Sequence, residues 1–258
     1  MKNLLSMDAH AHIMASHSNE VLAGSGFVLA MTLSLEEAEN AVEREYPKII
    51  WGAGCHPRKM KAQKSFNVNL FRTLVRKTAI VGEVGLDSGS KVPMEMQLAN
   101  FRKVLDAVGE VPRLTSIHSY QATELVLEEL QRRPIRIPVL HWWTGNAEET
   151  AQAVDLGCYF SVHSAVARHS KFRTWVPRDR ILVESDHGIC DSPAAIPDRL
   201  AWVESLLSQL LNLQVEEVRQ LVWRNFARVI EGTGTMALLP ESFKRMLKDP
   251  QADLPDAM

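Results

Sequence analysis

Asp8-Ala9-His10-Ala11-His12 sets two imidazoles two residues apart. In an extended strand, residues at that spacing point to one face, so His10 and His12 could grip one metal ion with Asp8 beneath them. Further metal-ligating side chains stand at the ends of short apolar runs. Glu83 lies within Val81-Gly82-Glu83-Val84-Gly85-Leu86-Asp87, while His118, His141 and Asp186 each close a run of their own, and Cys55-His56-Pro57 closes another. Imidazole and carboxylate suit zinc, manganese or magnesium and do not choose among them. His10, His12, Glu83, His118, His141 and Asp186 together exceed what one zinc takes from a protein, and a carboxylate can bridge two ions. Two divalent ions about 3.5–4 Å apart would polarise a substrate oxygen, activate water at neutral pH and steady the leaving oxygen.

Such ligands meet only if the elements carrying them converge. Eight apolar runs span Leu4 to His10, Phe27 to Leu33, Ile49 to Cys55, Ala79 to Val84, Leu114 to His118, Ile137 to His141, Cys158 to Val162 and Ile181 to Glu184. Their near-continuous apolar character fits strands buried on both faces of a parallel sheet. Amphipathic stretches separate them: Leu35 to Tyr46, Asn67 to Lys77, Met94 to Val108, Ala122 to Arg132, Asn146 to Leu156, Pro193 to Leu213 and Val215 to Glu231. Asn146 with Glu148 and Glu149 behind it reads as a capped helix start. Eight alternations with short loops predict an α/β chain folded as a (β/α)8 TIM barrel over residues 1–239. Residues 240–258, which contain Pro250 and Pro255, are expected to add a short helix and a loose tail. In such a barrel the carboxyl ends of the strands share one face, which brings six ligands from five strands to one pocket.

The composition agrees. The 258 residues are 46% hydrophobic and 23% charged, with 29 Lys plus Arg against 31 Asp plus Glu, a net charge of −2. This excludes a bulk polycation, so any nucleic-acid contact must come from a local patch. No apolar run is long enough to span a bilayer or act as a signal peptide, and three scattered cysteines lack CxxC spacing. A cytoplasmic location with reduced thiols is the expectation.

In order, these motifs resemble those of the TatD family of metal-dependent deoxyribonucleases, amidohydrolase-like barrels. DxHxH is Asp8 to His12, GxHP is Gly54-Cys55-His56-Pro57, and GExGLD is Gly82 to Asp87. Ile117-His118, His141-Trp142-Trp143-Thr144-Gly145, Glu184-Ser185-Asp186 and Asn225 to Arg228 follow. The resemblance implies a metal-dependent hydrolase that cleaves phosphoester bonds in DNA with metal-activated water. It implies that His10, His12, Glu83 and Asp186 hold one ion, and Glu83, His118 and His141 the other. Glu83 would be shared, Asp186 would orient or deprotonate the attacking water, and His56 would contact the substrate or its phosphate. Glu184 is then a supporting residue behind the ligands.

The chain departs from the family in carrying Tyr120 where an Arg is usual, Ser88 where an aromatic is usual, and Met14 where an acid is common. Leu86 to Gln97 is also short. These departures leave room for another phosphoester substrate, and for a role beside protein partners, since short TatD-like proteins occur in bacterial anti-phage defence systems. Two other readings compete: a metal hydrolase of a non-phosphate ester, amide or lactone, and a subunit that uses the barrel mainly to bind. Arg58, Lys59 and Lys61 after the third strand, and Arg168, His169, Lys171 and Arg173 after the seventh, are strand-to-helix loop cations that could attract phosphate. Of Trp142 and Trp143, one, with Trp142 as the candidate substrate contact, could stack on a base, although a Trp at this place more often packs between strand and helix, and His163 could reach the pocket. Cys55 reads as a packing residue.

Overall fold

The computed structural model of the chain describes residues 4–165, 175–188 and 200–248. The strands are β1 Met7–Ala11, β2 Phe27–Ala30, β3 Ile49–Trp51, β4 Ile80–Gly85, β5 Leu114–His118, β6 Ile137–Leu140, β7 Tyr159–Val162 and β8 Ile181–Val183. The helices are α1 Asn19–Leu22, α2 Leu35–Ala41, α3 Met60–Lys64, α4 Val68–Val75, α5 Met94–Glu110, α6 Thr123–Arg132, α7 Ala147–Asp155, α8 Leu200–Leu211, α9 Val215–Thr233 and α10 Glu241–Lys248. Strands β1 to β3 pair in order, as do β4 to β8, and every pairing is parallel. Two seams close the ring. Ala53 bridges Val81, and the Cys55 N–H donates to Glu83 O at 2.9 Å. On the other side the Asp186 N–H donates to His10 O at 3.1 Å, and the His12 N–H to His187 O at 2.7 Å. The result is the (β/α)8 barrel, with nearly every strand residue buried.

Local sequence sets several boundaries. Asn146 accepts from the Glu149 N–H while Glu149 accepts from the Asn146 N–H, a reciprocal cap that starts α7. The helix expected to Tyr46 stops at Ala41. Pro47 disfavours a helical residue before it, and Tyr46 instead turns inward and bridges Ile49, leaving Glu43 and Glu45 outside the helix. The strand expected to reach Cys55 stops at Trp51. Beyond it, Gly54 passes so close to neighbouring backbone that a Cβ there would lie 2.0 Å from Thr32 O. Helix α8 is described from Leu200 onward, so the expected start at Pro193 lies outside the described residues, as do Cys190 and residues 249–258. Helix α10 packs its buried Phe243 edge-on against Phe27 at 4.8 Å, covering the amino-terminal end of the barrel.

Two bulges prepare the site. Between Asp8 and Ala11, two residues of β1 oppose one of β2, and between Val81 and Val84, two residues of β4 oppose one of β5. A bulge re-aims a side chain and bends its strand. His10 sits in the first and Glu83 in the second.

Candidate metal centre

Glu83 is fully buried at the middle of the barrel mouth, and its two oxygens face two sets of imidazoles. Oε2 lies 3.5 Å from His10 Nε2 and 3.0 Å from His12 Nε2. Oε1 lies 2.6 Å from His118 Nδ1 and 3.0 Å from His141 Nε2. Asp186 Oδ1 adds to the first set, 3.5 Å from His10 Nε2 and 3.8 Å from His12 Nε2. The six side chains proposed from sequence as metal ligands are therefore brought together. Three triads, His10-His12-Glu83, His10-His141-Asp186 and His56-Glu83-His118, each bring one ligand atom per residue to within 4.8 Å of the others.

For His12 and His118 the partners behind the rings fix which nitrogen is bare. His12 Nδ1 lies 3.1 Å from Met31 O, and a carbonyl only accepts, so the proton is on Nδ1 and Nε2 is bare. His118 Nε2 lies 2.8 Å from Asp87 Oδ2, which leaves Nδ1 bare toward Glu83. His10 Nδ1 is 2.7 Å from Ser116 Oγ, so Nε2 faces inward. His141 turns Nδ1 toward Glu184 Oε1 at 3.6 Å. Glu184 in turn accepts from the Trp142 N–H at 2.8 Å and from Ser161 Oγ. Such carboxylate-backed imidazoles are the usual support behind metal ligands.

Bare nitrogens and carboxylate oxygens are all acceptors, and acceptors 3.0 Å apart repel unless a proton or a cation lies between them. Glu83 Oε2 and Asp186 Oδ1 are buried without a hydrogen-bond partner. The residues therefore fit a cation site by chemistry and by unfilled valence. Protons can stand in only partly. Burial pulls His118 and His141 down, but Asp87 and Glu83 beside the first, and Glu83 and Glu184 beside the second, leave both imidazoles raised. Burial drives His10 down to about 3. Asp186 is raised because burial disfavours its charge and Glu83 and Glu184 repel it.

His56 occupies a different role. Its Nδ1 accepts the Arg58 N–H at 3.0 Å, so in the neutral ring Nε2 carries the proton, 3.1 Å from Glu83 Oε2. Burial lowers its pKa and keeps it neutral. Like Glu83 Oε2, its Nε2 is buried without a hydrogen-bond partner, and His56 shares one of the three metal-capable triads with Glu83 and His118. Asp8 lies beneath the first set, accepting from the His10 and Ser185 N–H groups and from Ser185 Oγ at 2.6 Å, and burial raises its pKa to about 7.

A cavity of about 360 Å³ opens above the centre, lined by His56, Arg58, Tyr120, Trp142 and the ligands among others. Arg58 is half exposed at the rim with Nε 3.6 Å from Asp87 Oδ2. Lys61 instead pairs with Glu36 on the outer surface, and Lys59 precedes α3. Trp143 is buried and donates to Thr150 Oγ1 at 3.0 Å, a packing residue. Trp142 stacks on His163, with ring centres 3.8 Å apart. Cys55 is buried, and desolvation pushes its thiol up to about 12, which leaves it unreactive. Arg168, His169, Lys171 and Arg173 lie outside the described residues. Sequence reasoning overlooked the supports Ser116, Asp87 and Ser161. Alternation offered one signal, since Ser116 precedes His118 by two residues on the same strand face.

Residues 7–231 match the family described as TatD related DNase. Among curated relatives, a 3'-5' ssDNA/RNA exonuclease TatD from Citrobacter koseri is 24% identical over 225 residues, covering 80% of this chain and 86% of the relative. An uncharacterized metal-dependent hydrolase from Buchnera aphidicola is 24% identical over 209 residues, covering 71% and 77%. The fold also matches the crystal structure of a TatD homologue from Escherichia coli K12, with a TM-score of 0.73 at 20% identity over 86% of this chain and 97% of that one. No helix among the described residues is long and apolar enough to cross a membrane.

Proposed function

The chain belongs to the TatD-related DNase family, and from that premise we propose that it hydrolyses phosphodiester bonds of DNA with two divalent cations gathered around Glu83. The observation that carries this reading is the division of one carboxylate between two sets of bare nitrogens. Oε2 would share a cation with His10, His12 and Asp186, and Oε1 would share one with His118 and His141. When bound, zinc, manganese or magnesium ions supply Lewis acidity and lower the pKa of a water. The protein's own groups do the rest. Asp186, whose Oδ1 faces the first set of imidazoles at the cavity floor, is placed to take the proton from the attacking water. His56 Nε2–H donates to an oxygen of the phosphate, and Arg58 at the rim draws the anion in.

Wild type and Glu83→Gln should be incubated with single-stranded DNA, duplex DNA and bis(p-nitrophenyl) phosphate in manganese or magnesium. Cleavage by wild type and none by Glu83→Gln is expected. Equal background from both would support a binding subunit acting beside partner proteins instead. Turnover of esters or lactones alone, lost in Glu83→Gln, would move the chemistry off phosphorus. Elemental analysis of protein purified without chelator should find two ions per chain.

A further inference from the structure

We propose that Tyr120 and Trp142 form an aromatic clamp for one unpaired nucleobase next to the scissile phosphate. The inference rests on the phosphodiesterase reading above and deepens it by naming the residues that select an unpaired base.

Both rings rise from the catalytic face on neighbouring strands. Tyr120 lies two residues beyond the β5 ligand His118, and Trp142 directly follows His141 at the end of β6. Both line the same 360 Å³ cavity as Glu83, His118 and Asp186, so anything held between them lies beside the metal ligands.

Each aromatic is held at its base and free at its face. Trp142 adopts φ +43°, which a bulky side chain rarely accepts, and its N–H is fixed by Glu184 Oε1 at 2.8 Å. One face of its indole covers His163 at 3.8 Å and 28°, leaving the other to the cavity. Glu184 also stands behind His141, so one carboxylate backs both that imidazole and the main-chain amide of Trp142.

Tyr120 is 56% exposed. Gly89 comes close to it, since a Cβ there would lie 3.1 Å from Tyr120 Cε1. The Tyr120 carbonyl accepts the Ser88 N–H at 3.1 Å, and its hydroxyl accepts from Gln121 Nε2 at 3.3 Å. A side chain at position 89 would crowd the ring. The phenol ring is thus posted at the mouth by its own loop.

A flat, apolar-faced group between a phosphate-handling centre and two aromatic rings matches a base, because stacking is sequence-tolerant and needs an exposed π-face. A paired base in a duplex cannot offer both faces. The clamp therefore selects single-stranded or frayed ends, and it would do so whatever the sequence.

The test compares a single-stranded oligonucleotide with a copy abasic at its terminal residue. Wild type should favour the first about tenfold in kcat/KM, mostly through KM. Trp142→Ala and Tyr120→Ala should each shrink that preference, and Trp142→Phe, which keeps a flat ring, should restore most of it. Independently of turnover, dAMP should quench tryptophan fluorescence of the metal-free chain, whereas deoxyribose 5-phosphate should not, and Trp142→Phe should lose the quenching. An undiminished preference in both alanine variants, with no dAMP quenching, overturns the clamp. Because Glu83→Gln reports separately on phosphodiester cleavage, failure there would sink the catalytic reading, whereas a dead Glu83→Gln with indifferent Trp142 and Tyr120 variants would sink the clamp alone.

Discussion

Glu83 and Glu129 are both buried carboxylates, at 0% and 2% exposure, yet one is ringed by imidazoles and the other by guanidiniums. Glu129, on the buried side of α6, receives Arg102 Nε at 3.0 Å and Nη2 at 2.7 Å, with Arg133 Nη1 at 2.9 Å. Arginine is always charged, so this pair is complete in the folded chain, and Arg102 and its neighbours hold Glu129 below the ordinary carboxylate range. Around Glu83, burial would raise the pKa, and the charge and hydrogen bonds of the surrounding imidazoles hold it well down. Imidazoles can surrender their protons to a cation, whereas guanidiniums cannot. The outer layer spends its charge on stability, and the barrel mouth keeps its charge available for chemistry.

The sharpest break in that comparison comes from the two glutamates themselves. Glu83→Gln should cut turnover on the order of 10⁴-fold, as loss of a central catalytic group does, without lowering the melting temperature of the metal-free chain. A large loss of stability with activity retained would mean that Glu83 is structural.

Divalent-cation affinity should next fall as pH falls, about tenfold per pH unit for each proton displaced, because the raised His118 and His141 hold protons that compete with the cation. Isothermal titration with manganese across pH 5.5–8 checks this, and a flat profile would sink it.

Asp87→Ala should cost about 10- to 100-fold in cation affinity, since it frees the His118 Nε2 proton and lets the ring choose the wrong tautomer. Asn at that position, which can still accept, should recover part of the loss.

The smallest effect belongs to the outer pair. Glu129→Gln should lower unfolding free energy by about 2 kcal/mol and leave catalytic rates intact. The pH signs differ between the two regions. Glu129 has a depressed folded pKa, so its contribution is present at neutral pH and is lost as pH falls through that value. His141 has a raised folded pKa, so in the metal-free chain its contribution is complete below the ordinary histidine pKa and is lost as pH rises through the folded one. Denaturant melts at several pH values, with and without manganese, should separate the two slopes.

Which side chains could converge as ligands was legible in the sequence because it depends on local alternation and on their place at strand ends. His10 and His12 share a face by strand geometry, and the six candidate ligands stand at or near the ends of five apolar runs, which required only the barrel to bring them together. The α2 boundary was not legible, because Pro47 and the inward turn of Tyr46 outweighed an amphipathic pattern that continued past them. Nor could the sequence say which nitrogen of each ring is bare. His10 depends on Ser116, 106 residues away, and Asp8 on Ser185, 177 away. That Tyr120 and Trp142 line one cavity has the same origin. Periodicity determined which ligand-type side chains stand at the strand ends. Bulges, barrel closure and strand register decided which lone pairs and ring faces meet, because such contacts depend on distances between strands that no single segment encodes.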